Sequence, residues 1–171
     1  MDPSIYTPET AHAFLCTGLL QGTSVSWGIG AAHPFALVGA PWIRDDRLLE
    51  ALRARHLPGV TWTRAHFVPR WHEGVLWSRF ADEPCNGVRL HFTDWNAVET
   101  ARVQLALIAD LCRLYPDEFQ FMTEYNFDIR LEDVQWVERW RAGEGVETVL
   151  AEWRAAAAQF AARRQPYLLY P

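Results

Sequence analysis

Apolar residues recur every three or four positions in five stretches of the chain, which is the spacing of a helix with one buried face. The stretches lie at about residues 7–18, 45–56, 96–115, 131–143 and 146–165. Thr7 and Pro8 have the residue types of a helix N-cap and a first helical position. Asn96 and Glu99 have the spacing of a capping box before the strongly apolar third stretch. The pattern therefore predicts five helices, most of them in the C-terminal half.

Shorter apolar or alternating stretches predict strands. Residues 35–39 form a short apolar run, residues 60–68 are rich in β-branched and aromatic types, and residues 87–92 alternate apolar with polar positions. The sum is an α+β fold, with a mainly antiparallel sheet of about three to five strands, packed helices and a helical C-terminal half. Residues 167–170 are an apolar tail that we expect to dock back on the fold. The length of 171 residues fits a single domain, 1–171.

Composition excludes several classes of function. All 16 basic residues are arginine, so chemistry that needs a lysine amine is excluded. The net charge of −5 and the scattered arginines indicate no nucleic-acid partner. No stretch approaches the apolar length of a membrane span, and the first residues do not resemble a secretory signal. We therefore expect a cytoplasmic protein without a membrane partner.

Few residues have the spacing of a metal or redox site. Cys16, Cys85 and Cys112 are far apart in the sequence, so no cysteine pair suggests a zinc knuckle or a redox dithiol. His66, His72 and His91 could meet Glu73 or Asp94, but no close histidine pair supports a metal site. We expect no metal and no cofactor.

Residues 21–30, QGTSVSWGIG, are too rich in glycine and hydroxyl side chains for a regular element, and they predict a shaped loop beside a strand. This loop also carries the strongest resemblance to a known family. Residues 21–30, 33–35 and 38–42 are similar to the first motif block of the NamZ-type exo-β-N-acetylmuramidase family. Residues 85–94 followed by 114–116, and residues 153–170, resemble its second and third blocks in the family's order.

The resemblance implies a two-part enzyme acting on a peptidoglycan sugar. This chain is similar to the C-terminal part, so we expect the N-terminal Rossmann-like catalytic domain to be absent. The first block also departs from the family pattern. Gln21 replaces an acid, Ser24 an asparagine, Ile29 an arginine and Ala31 a threonine, whereas Trp27 stands where an acid is frequent. An arginine could hold the carboxylate of muramic acid, and an isoleucine cannot.

We predict that the loop of residues 21–30, rather than residues 71–77, forms the main concave polar site. Its glycines would let the backbone approach a ligand, its hydroxyls suit a neutral sugar, and Trp27 could stack on a sugar ring. The alternative is a loop that only packs between a strand and a helix. The predicted substrate-binding residues are Gln21, Thr23, Ser24, Ser26, Trp27 and His33.

The function that we expect is that of an auxiliary or substrate-cleft domain of the muramidase family, not catalytic alone. It would bind a carbohydrate, a peptidoglycan fragment, or pair with a separate Rossmann-like catalytic chain. One alternative is a self-associating module, a homo-oligomer, with an apolar face around Trp27 and Trp42. Another is a minimal glycoside hydrolase that uses Glu73, Asp82 or Glu83, since such an enzyme needs two carboxylates.

Overall fold

The computed structural model describes residues 4–70, 78–122, 138–140 and 142–170. Within these ranges the chain forms helices α1 (Pro8–Thr17), α2 (Asp45–Ala54), α3 (Thr100–Leu114) and α4 (Val146–Arg164). Its strands are β1 (Leu37–Ala40), β2 (Val60–Phe67) and β3 (Cys85–Phe92). The predicted helix at residues 131–143 lies largely outside the described residues.

The three strands form one antiparallel sheet in the order β1-β3-β2. Strand β2 pairs with β3 along its whole length, and Trp62 lies opposite Leu90. Both of these side chains are buried on the same face of the sheet, together with Val38 and Val88. Helix α2 packs on β2 and β3, and α3 packs on α2, so this face becomes the core. The predicted α+β class with an antiparallel sheet and a helical C-terminal half is confirmed.

Helix α1 begins as the sequence predicts. The Thr7 hydroxyl accepts a hydrogen bond from the Thr10 backbone at 3.1 Å, and the Thr10 hydroxyl accepts one from the Thr7 backbone at 3.0 Å. Pro8 occupies the first helical position, where its missing N–H costs nothing. This reciprocal cap fixes the start of α1.

The predicted capping box before α3 is wrong. Asn96 lies in a separate turn of 3-10 helix, Trp95–Ala97, whose N-cap is the Asp94 side chain. Glu99 is itself the N-cap residue of α3, but its side chain makes no capping bond. Its carboxylate instead accepts hydrogen bonds from Arg102 and Arg154. The carboxylate therefore forms ion pairs with two arginines instead of the capping hydrogen bond that the pattern predicts.

The prediction for the last helix is right about its extent and wrong about its burial. Helix α4 buries only Val146, Val149 and Leu150, and Trp153 is half-buried. The apolar tail does not dock back on the fold, since the Leu169 side chain is 91% exposed. Among the described residues, no helix is long and apolar enough to cross a membrane.

Candidate functional site

The glycine-rich loop is tied to its surroundings by its own hydroxyl groups. The Thr23 hydroxyl donates to the Leu20 carbonyl at 2.7 Å. The Ser24 hydroxyl donates to the Glu118 carbonyl and accepts from the Gln120 backbone, both at 2.9 Å. These bonds hold the loop against residues 118–122, where Thr23 also forms a backbone bridge with Phe121. These hydroxyl groups therefore form hydrogen bonds with the protein's own backbone.

The second part of the loop adds to the edge of the sheet. Ser26 exchanges two backbone hydrogen bonds with Gly39 of β1, at 2.8 and 2.9 Å. Trp27, the residue predicted to stack on a sugar, is only 4% exposed and belongs to the core cluster. In this conformation its ring packs inside the protein.

The glycines of the loop are explained by contacts with the protein's own backbone. Gly30 has φ of +81°, and a Cβ at this position would lie 2.3 Å from the Arg70 carbonyl oxygen. The Arg70 backbone N–H donates to the Gly30 carbonyl at 2.8 Å. Gly28 has φ of +78° and is crowded by the His33 carbonyl. Both positions need glycine because two chain segments meet there.

The structure thus separates the six predicted binding residues into two groups. Thr23, Ser26 and Trp27 are buried, whereas Gln21, Ser24 and His33 keep partly exposed surface. Those three partly exposed residues do not form one cluster around the loop. Ser24 lies against residues 118–122, whereas His33 contributes, after burial and Arg89, to the lowered pKa of His91.

The outer face of the sheet is polar. The Thr63 hydroxyl and the His91 ring are hydrogen-bonded at 2.8 Å, and Arg89 lies 3.9 Å from Glu9. The pKa of His91 is lowered, first by burial and then by Arg89. His66 contacts Asp45 on the opposite face, so His66 and His91 do not share a site.

The other histidine and carboxylate candidates are also separated or outside the described ranges. His72 and Glu73 fall on residues that the structure does not describe. In the described part of the chain, no three His, Cys, Asp or Glu residues are placed to hold a metal ion. Asp82 is paired with Arg70 at 3.0 Å in an exposed loop, and Glu83 beside it is also exposed.

A cleft of about 490 Å³ lies on the side of the loop where residues 118–122 run. It is formed by the C-terminal half of α3, the residue after α2, residues 116–121 and the start of α4. Phe121 stacks on Trp140 with ring centroids 5.8 Å apart, and Phe119 meets the edge of Phe121 at 5.2 Å. These three aromatic side chains form one wall, and the glycine-rich loop holds that wall from behind.

The cleft is also lined by two arginines that share one buried carboxylate. Arg55 holds Asp110 through two hydrogen bonds of 2.7 and 2.8 Å. Arg113 donates to the same carboxylate at 3.1 Å, and its side chain remains 60% exposed. Asp110 is 1% exposed, and its hydrogen bonds raise the pKa of Arg55 above its ordinary value. Two cations thus share one anion at the cleft, and the cleft is also lined by Glu144, which pairs with Arg139.

Sequence reasoning missed this pair of arginines because they are far apart along the chain. One signal was available. Asp110 is the lone acid in the apolar stretch of α3, and a charged residue on a buried helix face needs a partner. The sequence does not say that the partner is Arg55.

The thiols differ in their access to the cleft. Cys16 and Cys85 are buried, and burial raises the pKa of each thiol to about 12, with a further contribution from Glu83 at Cys85. Cys112 is half-buried and lines the cleft.

The fold and the motif blocks define a class of protein that solved structures also represent. A DUF1343 family protein from Bacteroides fragilis NCTC 9343 superposes with a TM-score of 0.83 at 27% identity, over 99% of this chain and 44% of that chain. A second DUF1343 family protein from the same organism has a TM-score of 0.72 at 22% identity, over 99% and 43%. The second likeness shows the fold alone.

The family model described as "Exo-beta-N-acetylmuramidase NamZ, C-terminal" matches residues 12–170. The chain therefore belongs to the family of NamZ C-terminal domains. It is 35% identical to the Bacillus subtilis (strain 168) protein named peptidoglycan beta-N-acetylmuramidase NamZ, over 98% of this chain and 39% of that protein. The chain thus spans about two fifths of the length of this relative. The resemblance seen in the motif blocks is confirmed.

Proposed function

We propose that this chain is the substrate-cleft domain of a peptidoglycan exo-β-N-acetylmuramidase and holds a sugar without cleaving it alone. The observation that carries the proposal is the match to the NamZ relative, which covers 98% of this chain but 39% of that protein. The chemistry would then depend on the remaining part, a Rossmann-like catalytic domain in the same or a separate chain.

The charge state of the carboxylates supports a role without catalysis. Glycoside hydrolysis needs a carboxylic acid with a raised pKa and a second carboxylate nearby. In the described ranges, every carboxylate with a shifted pKa has it lowered: hydrogen bonds from arginines lower the pKa of Asp46, Glu99, Glu144 and Glu152. These groups stay ionised at neutral pH and are poor proton donors.

The cleft between the aromatic wall and the arginines is the best place for the sugar. Its volume of about 490 Å³ falls within the range of small-molecule sites. Phe121 offers a partly exposed ring for the apolar face of a sugar. A guanidinium has five N–H donors, and Arg113 uses one of them on Asp110. The others can bind a carboxylate, which N-acetylmuramic acid has and N-acetylglucosamine lacks.

The loop of residues 21–30 keeps a part in this proposal. Thr23 supports the wall through its bridge to Phe121, whereas Ser26 joins Gly39 of β1 and Trp27 packs in the core. Gln21 and Ser24 retain partly exposed surface beside residues 118–122, so they remain candidate contacts for a ligand. His33 would act elsewhere, in the surroundings of His91.

Calorimetric titration of the chain with N-acetylmuramic acid and N-acetylglucosamine tests the cleft. We expect the acid to bind more tightly, and Arg113→Gln to weaken it by about ten-fold or more, the range for one charge-assisted hydrogen bond. Binding of N-acetylglucosamine should not change. Arg163→Gln, at the exposed end of α4, is the matched control and should bind both sugars as the parent does.

Equal loss of affinity for both sugars in Arg113→Gln, or no preference for the acid in the parent, would contradict the carboxylate assignment. A chromogenic muramide tests the absence of catalysis. Release of the chromophore by this chain alone would overturn the proposal.

A further inference from the structure

Helix α4 and the tail after it extend away from the domain as an apolar arm. We define the α4 arm as residues 154–170. Every residue of the arm is exposed except the half-buried Ala161. The helical part, eleven residues, is roughly 16 Å long at 1.5 Å per residue. Among the described residues, the ion pair of the arm with the rest of the domain is at its base, where Arg154 meets Glu99.

The arm concentrates apolar side chains that water would normally exclude. Eight large hydrophobic side chains are exposed in the described part of the chain, and five of them are on the arm: Phe160, Tyr167, Leu168, Leu169 and Tyr170. Scattered exposed apolar residues need no explanation, but a contiguous group of them marks an interaction surface.

The arm can be helical without packing. Residues 155–158 are four consecutive alanines, and alanine has the highest intrinsic helix propensity. At its base, Arg154 is held by Glu99 at the start of α3, and Glu152 by Arg139. The helix is thus anchored at one end and preformed along its length, which lowers the entropy lost when another surface binds it.

The comparison with the solved structure supplies a candidate for the surface that covers the arm. The Bacteroides fragilis protein superposes on 99% of this chain, so the arm has equivalents there. The match accounts for only 44% of that chain, which leaves more than half of it outside the match. The relatives therefore carry both the arm and a large additional part.

The charges on the arm indicate the chemistry of the surface that it meets. Arg163 and Arg164 are exposed at the end of the helix, and the structure gives neither of them an ion pair among the described residues. They border the apolar side chains of the tail. A complementary surface would be apolar at its centre with carboxylates at its rim.

We infer that the α4 arm is the docking surface for the part of the muramidase that lies outside the matched region. The inference rests on the proposed function, because it needs this domain to act together with that part. Phe160 and the tail would insert into an apolar surface, and Arg163 and Arg164 would pair with carboxylates at its edge. The arm would position the cleft relative to the catalytic part.

A chimera tests the inference. This chain replaces the matched segment of the Bacillus subtilis NamZ protein, and hydrogen exchange of residues 154–170 is compared with exchange in the isolated chain. We expect amide exchange in the helical part of the arm to become at least about ten-fold slower in the chimera. Leu169→Asp should restore fast exchange. Leu15→Asp is the matched control, because Leu15 is 55% exposed but lies on α1, and it should leave the arm protected.

Fast exchange of the arm in a folded chimera would overturn the inference. Sedimentation of the isolated chain tests a second copy as the occupant. A dimer that Leu169→Asp dissociates and Leu15→Asp does not would assign the arm to self-association and would also overturn it. A monomer agrees with the inference.

A second measurement does not depend on the chimera's folding. In the solved Bacteroides fragilis structure, the accessible area of the arm's equivalents is measured with and without the rest of that chain. Coverage of their apolar side chains by the unmatched part supports the inference, and exposed side chains overturn it. Sugar affinity is a separate readout. A covered arm with no sugar binding would contradict the proposed function of the cleft and leave the docking surface standing.

Discussion

Helices α3 and α4 have 15 and 19 residues and bury their apolar side chains very differently. In α3, the stretch from Leu105 to Ile108 is buried on every side, because α1, α2 and α4 all pack against this helix. In α4, burial stops at Leu150, and only Trp153 beyond it is partly covered. Both sequences predict helices, but only the surrounding structure decides which apolar face is covered.

This difference between covered and exposed apolar residues predicts a large loss of stability when a buried aromatic ring is removed and a small one when an exposed ring is removed. Trp27→Ala should lower the free energy of unfolding by about 3–5 kcal/mol, because the ring is 4% exposed in the core. Phe160→Ala, on the α4 arm, should change it by less than about 0.5 kcal/mol. Urea denaturation of the isolated chain measures both. If Trp27→Ala instead leaves stability unchanged and weakens sugar binding, the loop is a binding site and Trp27 does not belong to the core.

A smaller loss of stability is expected when the buried carboxylate that Arg55 and Arg113 share is removed. Asp110→Asn should cost about 2 kcal/mol of stability, because Arg55 and Arg113 would lose their shared anion. The cost falls below that of a fully buried pair, since the Arg55 side chain is 30% exposed.

Asp46→Asn breaks the exposed pair with Arg44 and is the control, with no measurable change in stability expected. Thermal unfolding of both variants measures the difference. Equal effects would mean that burial of Asp110 adds nothing to its interaction.

The smallest predicted effect concerns the ion pairs that tie α4 to α3. Hydrogen bonds from Arg102 and Arg154 lower the pKa of Glu99 below its ordinary value. A carboxylate whose pKa is lower in the folded state stabilises that state at neutral pH, and this contribution is lost as the pH falls through the lowered pKa. We expect the protection of α4 amides, relative to their intrinsic exchange at the same pH, to fall below about pH 4, before that of the sheet does.

Glu99→Gln should remove about 0.5 kcal/mol at neutral pH, a small value because the pair is solvent-screened. It should also flatten the response of α4 to acid. An unchanged acid response in this variant would assign the effect to other carboxylates.

Local signals predicted much of the fold. The cap at Thr7, the strand at residues 60–67 and the extent of α4 depend on neighbouring residues, and the sequence contains those neighbours. The predicted cap at the start of α3 was wrong because Glu99 binds Arg154, which lies 55 residues away. The prediction that the tail docks back on the fold was wrong because none of the described residues covers the tail.

The candidate site was harder to predict because its contacts also join residues that lie far apart in the sequence. The pattern of glycines and hydroxyls in residues 21–30 predicts a surface for a ligand, which stays a prediction, and it does not predict that these groups also join the loop to Arg70, Gly39 and residues 118–122. The cleft depends on Arg55 and Asp110 meeting across 55 positions of sequence. No local pattern contains that contact.

The position of Cys112 gives the cleft a built-in attachment point for a probe. The chain has three cysteines and no lysine, and Cys16 and Cys85 are buried with thiols that hold their protons to about pH 12. A thiol-specific fluorophore on the folded protein would therefore be directed to Cys112, and amine-reactive dyes would find only the N-terminus. A label there lies on the cleft wall beside Arg113, so changes in its emission would report occupancy of the cleft without any engineered cysteine.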